Sequence, residues 1–172
     1  MKFSYHKWLI FIVAAIILFG CASQNEEQIL SEGEPIVIQD LDITTGQTIF
    51  VPAYSEVNYA AEGRTLDLDV TLSIDNTDFT NPIIITSVRY FNTQGQLVKE
   101  YLPQPQRLGP MASVDFYVNA REQTGGVGTN FIVEWVAEQP VYELVVETLM
   151  LSTTGTQGLS FTSPGRVIRQ LE

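Results

Sequence analysis

The chain holds one cysteine and one histidine among its 172 residues, and both fall within the first twenty-one positions. His6 sits in a stretch that reads as a cleaved leader. Beyond it there is no imidazole, which excludes Ser-His-Asp and Cys-His catalytic sites and the usual His/Cys zinc site. With Cys21 alone, no internal disulfide can form. Positive charge is nearly as scarce. After position 20 the only lysine is Lys99, and the formal charge moves from −11 for the whole chain to −13 for residues 21–172. Phosphate backbones and anionic headgroups are bound by clustered Lys and Arg, so no nucleic-acid partner is expected. Long apolar runs are missing too. Trp8 to Phe19 would reach only ~18 Å as a helix, against a hydrocarbon core of about 30 Å.

What is present begins with an address. Lys2, His6 and Lys7 precede that short apolar run, which closes on Leu18-Phe19-Gly20-Cys21. A positive start, a short apolar stretch and a small residue at the cut describe an export signal. Leu18, Gly20 and Cys21 match the bacterial lipoprotein form, in which cleavage falls before Cys21 and its thiol takes lipid; Phe19 is bulky where a small residue is usual. The expected location is the bacterial cell envelope, with the protein lipid-anchored to a membrane and facing the periplasm or exterior. In a Gram-negative cell that membrane would be the outer one.

Three segments follow from this. Residues 1–20 form the signal peptide. Residues 21–45 form an acidic tether, with Glu26, Glu27, Glu32, Glu34, Asp40 and Asp42 and no base, and with Ile36-Val37-Ile38 as a short strand near its end. Charged linkers repel themselves and extend. Residues 46–172 form one domain.

Inside that domain the pattern is strands and turns. Leu66, Leu68, Val70, Leu72 and Ile74 alternate with polar residues from Thr65 to Asp75, which puts one face on a core and the other in water. Ile83 to Phe91 is more continuously apolar and so more central. Asn92-Thr93-Gln94-Gly95 turns it into a hairpin with Leu97–Leu102. Pro103, Pro105 and Pro110 mark a loop, because proline cannot sit in a central strand. Strand character resumes at Ala112–Asn119, Phe131–Glu138 and Leu144–Ser152, with short pieces at Leu159–Phe161 and Val167–Ile168. Leu144–Leu151 has a helical alternative, against which its valines and Thr148 argue. About seven strands without a convincing helix predict an all-β, antiparallel immunoglobulin-like β-sandwich, with a small closed β-barrel as the alternative.

The chemistry is sparse. Gly125-Gly126-Val127-Gly128-Thr129 lacks the lysine of a phosphate loop and is followed by a strand, so it reads as a turn between strands. Asp67, Asp69, Asp75 and Asp78 could offer oxygens to calcium, but their spacing matches no EF-hand loop and Asp67 and Asp69 fall on the solvent face. Glu134 and Glu147 are the carboxylates a glycosidase would need, with nothing to bring them together. Trp135 shares a face with Phe131 and Val133 and belongs to the core. No catalytic residue, metal ligand or cofactor is expected. Binding concentrates on loops of a rigid scaffold. The candidate binding loops are therefore Gly125, Gly126 and Gly128 together with Phe161, Ser163 and Arg166 from the small, polar stretch 155–166.

Several stretches resemble a bacterial family of uncharacterised exported lipoproteins, domain of unknown function 3124. They are Thr48–Ser55, Gly63–Leu66, Thr86–Tyr90, Gly125-Gly126, Asn130–Trp135 and Gly158–Ser163. The resemblance spans roughly Thr48 to Ile168. It implies an envelope location and carries no catalytic or ligand residues. The expected function is a non-catalytic, lipid-anchored module that binds another envelope protein or serves structurally, with a small-molecule or glycan binding module as the alternative. A hydrolase using carboxylates is a more distant one.

Overall fold

A computed structural model describes residues 36–59, 63–120, 125–153 and 158–171. The expected leader, Cys21, the expected tether to position 35 and residues 155–157 of the candidate stretch 155–166 lie outside them. Among the described residues the chain forms twelve strands. They are β1 (Thr45–Ala53), β2 (Glu56–Asn58), β3 (Thr65–Asp67), β4 (Asp69–Asp75), β5 (Ile83–Phe91), β6 (Leu97–Glu100), β7 (Gln106–Leu108), β8 (Ser113–Val118), β9 (Thr129–Ala137), β10 (Val145–Ser152), β11 (Leu159–Pro164) and β12 (Arg166–Leu171). One 3-10 turn, Ile38–Asp40, stands where the sequence suggested a short strand.

The strands build an antiparallel sandwich. The first sheet runs β12-β1-β9-β5-β6, with β7 also on β5, and the second runs β11-β10-β4-β8. The sheets do not close into a barrel. On one side, however, β11 of the second sheet continues through Gly165 into β12 of the first. Gly165 N–H donates to Val146 O at 2.7 Å, and a Cβ there would stand 2.7 Å from Ile49 Cγ2 and 2.9 Å from the Val146 carbonyl oxygen. Only glycine lets the chain turn this tightly from sheet to sheet.

The core lies between the sheets. The alternation that predicted it is visible in β4, where Val70, Leu72 and Ile74 are fully buried between half-exposed neighbours. They face Val51, Phe131, Val133, Tyr90 and Val88 in one cluster. Fully burying such a side chain is worth roughly 1.5–3 kcal/mol. The predicted strand Thr65–Asp75 is interrupted at Leu68, whose N–H donates to Ser55 O at 2.8 Å. The piece before the break pairs with β2 instead of joining the sheet.

A second irregularity was written in the apolar spacing of β5. Ile83 and Ile85 face inward, then Val88 and Tyr90, so the phase slips by one residue. The ladder to β9 skips a residue between Ile85 and Ser87, the signature of a bulge. On the opposite edge, facing β6, Val88 N–H donates to Glu100 Oε1 at 3.1 Å and its carbonyl accepts from Tyr101 N–H.

Pro52 sits inside β1, which is paired on both sides. Its pairing with β12 ends at Phe50, so β12 has already left. The Pro52 carbonyl accepts from Thr148 Oγ1 of the other sheet at 2.6 Å. Nitrogen and oxygen of one strand residue point the same way, so the missing N–H faces no strand partner.

Candidate functional site

The two ends of the sandwich and its two outer faces carry the remaining chemistry. At one end, the Gly125–Thr129 loop meets the corner after β1 and the β5–β6 turn. Gly126 O accepts from Ser55 Oγ at 2.9 Å. Gly125 O accepts from both the N–H and the hydroxyl of Thr93, at 3.0 and 3.1 Å. Gly128 N–H in turn donates to Thr93 Oγ1 at 3.1 Å. Gly125 is required by crowding, because a Cβ would meet the Tyr90 hydroxyl, Thr129 Cγ2 and Ser55 Oγ. The Tyr90 hydroxyl is buried there without a hydrogen-bond partner among the described residues.

Phe161 reaches the same end. It is half-buried in β11 and packs on Tyr54, the neighbour of Ser55, with ring centroids 6.1 Å apart. Ser163 lies deeper along the strand, its carbonyl facing Thr148 Oγ1 at 3.4 Å. Arg166 is placed apart from them. It opens β12 opposite Phe50 in the other sheet, exposed and without an ion pair among the described residues. The fold thus gathers Gly125, Gly126, Gly128 and Phe161 around Tyr54 and Ser55, and leaves Arg166 on an outer face. The Gly125 and Gly126 carbonyls and the Gly128 N–H are taken up by Thr93 and Ser55.

The opposite end is tied by Asn76 and Asp78, which are 2% and 4% exposed. Asp78 Oδ1 accepts from Asn81 N–H at 2.7 Å and Thr80 N–H at 2.8 Å, and Oδ2 from Tyr142 N–H at 3.3 Å. These backbone donors, Asn81 first and then Thr80, hold its carboxyl below the ordinary value of 3.8. Asn76 Nδ2 donates to the carbonyls of Gly109, Asn81 and Leu108, and its Oδ1 accepts from Asp78 N–H. Sequence reasoning weighed Asp78 only as an oxygen donor to calcium and did not find this knot. Its partners lie up to 64 residues away, and no local pattern announces them.

The outer faces divide by charge. Strand register places Arg89, Arg107, Arg166 and Arg169 on the outside of the first sheet, beside Phe50, Ile132, Glu134 and Phe91. Arg89 pairs with Glu134 at 3.0 Å and Arg107 with Glu138 at 3.5 Å. Outside the second sheet, the outward row of β10 is Val145, Glu147, Leu149 and Leu151, three exposed aliphatic residues with a carboxylate between the first and second. Asp75 and Asp115 lie beside this row, and no Lys or Arg among the described residues shares that face. Asp69 closes the row by accepting from Tyr117 Oη at 2.6 Å. Trp135 is 2% exposed, inside the core as its spacing required. Among the described residues no three His, Cys, Asp or Glu side chains group to hold a metal ion.

A family of proteins of unknown function, DUF3124, matches residues 46–168. No curated protein matches the chain. Among solved structures, Thermotoga maritima 1070 aligns at 15% identity with a TM-score of 0.40, over 70% of this chain and 92% of that one. The chain belongs to the DUF3124 family.

Proposed function

We propose that this member of the DUF3124 family is a non-catalytic binding domain of the bacterial envelope, held at a membrane by lipid on Cys21. Its partner is another envelope protein, met by the outer face of the second sheet. The observation that carries this reading is the exposed row of Val145, Leu149 and Leu151, with Glu147 inside it and Asp75 and Asp115 beside it. Exposed apolar surface rimmed by polar residues is where proteins dock. The acids select the partner's charge, so the partner presents basic and apolar side chains. The glycine-loop end supports such a role less, because its Gly125 and Gly126 carbonyls and Gly128 N–H are already bonded to Thr93 and Ser55. The absence of histidine beyond the leader and the use of the sole cysteine for lipid support a domain that holds and does not react.

Two measurements separate the parts of this reading. Mass spectrometry of the cell-made protein should show an acylated Cys21, and Cys21→Ala should release the chain from membranes. Crosslinking in intact cells should trap a protein partner, with the yield cut at least tenfold by Leu149→Ser with Glu147→Lys. An undiminished crosslink in that variant would move the binding surface elsewhere.

A further inference from the structure

Among the described residues five large apolar side chains are more than half exposed, and three of them rise from the Asp78 knot. Phe79 is 75% exposed, Tyr142 67% and Met111 59%. Each is fixed by the same residue. Phe79 is the tip of the turn that Asp78 Oδ1 closes through Thr80 and Asn81. Tyr142 N–H donates to Asp78 Oδ2, and Met111 N–H donates to Asp78 O at 3.0 Å. Three loops distant in sequence are thereby pinned at one point, each raising one large apolar residue.

Met111 is held there against its own preference. Gly109 O accepts from Ala112 N–H, Pro110 takes the second position, and Met111 the third with φ of 56°. Such a turn calls for glycine or asparagine at that place. An exposed, bulky residue in the left-handed region costs conformational energy and gains nothing in the folded core.

The chain enters the domain at this same end. Thr44 N–H donates to Ala137 O, and Ala137 leads directly into the 138–143 loop that carries Tyr142. The 23 residues from Ala22 to Thr44 bound the distance to Cys21 at about 80 Å even if fully extended. A tether of this kind turns a weak second contact into an intramolecular one. The charges nearby give no electrostatic attraction: Arg107 is paired with Glu138, and Glu143 is acidic.

We infer that Phe79, Met111 and Tyr142 form an apolar tip that seats in the headgroup region of the membrane to which the chain is anchored. An aromatic ring with a polar edge, a second aromatic ring and a flexible thioether suit that half-apolar layer. The inference rests on the anchoring reading but is tested apart from it. Leaderless protein is coupled through the Cys21 thiol to a maleimide phospholipid in phosphatidylcholine vesicles, which supplies the anchor whether or not cells attach one. A Phe79→Trp indole then reports contact, with the unsubstituted protein as the blank for Trp135. Brominated lipids should quench it at least twofold, and adding Met111→Ser and Tyr142→Ser should abolish the quenching while the thermal midpoint holds. Replacing a third of the lipid by phosphatidylglycerol should weaken the effect, and salt should not. An indole that stays unquenched on protein-bearing vesicles overturns the inference, as does quenching that needs anionic lipid. Unmodified Cys21 in the cell-made protein would instead refute the anchoring reading alone.

Discussion

The two ends of the sandwich are both tied by polar side chains, yet they present opposite surfaces. At the glycine-loop end, the hydroxyls of Ser55 and Thr93 satisfy backbone carbonyls of the Gly125–Thr129 loop. At the other end, one carboxylate and one amide gather backbone from three loops and leave Phe79, Met111 and Tyr142 standing in water. The first arrangement fills space; the second holds apolar groups out of the core at an energetic cost. Hydroxyls bridge neighbours that are already close. A charged, fully hydrogen-bonded carboxylate can impose a conformation that local preference opposes.

This contrast can be broken most severely at Asn76. Asn76→Ala strips partners from the carbonyls of Gly109, Asn81 and Leu108 and from Asp78 N–H, with an expected loss on the order of 3 kcal/mol. A urea titration should show a lowered midpoint with an unchanged slope. Gly125→Ala attacks the other end by overpacking and should cost about 2 kcal/mol in the same titration.

Asp78 sharpens the comparison through pH. Its carboxyl is more acidic in the fold than its ordinary 3.8, so its contribution is complete above about pH 4. That contribution drains away as pH falls through the lower folded value. Urea midpoints measured from pH 2 to 6 should fall steeply at the acid end, and Asp78→Asn should flatten that limb while lowering the plateau. The glycine-loop end offers no such titration in its hydroxyl–carbonyl bonds. The smallest effect belongs to Tyr90→Phe, which removes a buried hydroxyl without a partner among the described residues. It should leave stability within about 1 kcal/mol of the parent, on the stabilising side.

How much of this was legible in the sequence depends on the range over which each contact acts. The sandwich was readable because the alternation in Thr65–Asp75 and the Asn92–Gly95 hairpin are local. In the structure Gly95 carries φ of 73° and Asn92 O accepts its N–H. Even the bulge in β5 was present as a phase slip between Ile85 and Val88. Proximity of the glycine loop to Phe161 required the fold, since Ser55 meets Gly126 across 71 residues. The Asp78 knot was illegible for the same reason, although Gly109-Pro110-Met111 held a local hint. A turn that wants glycine and carries methionine marks a place where something other than folding chose the residue.

The passage of β11 into β12 through Gly165 also bears on the order in which the molecule can form. β1 lies between β9 and β12, so the first strand made waits for partners some 80 and 120 positions later. A chain lacking β9 and β12 leaves β1 without its ladder on either side, however favourable its sequence. The domain therefore stays open through most of its synthesis and closes late, both sheets gaining an edge in a single stroke. If the chain is exported as proposed above, that delay keeps it unfolded until it has crossed the membrane.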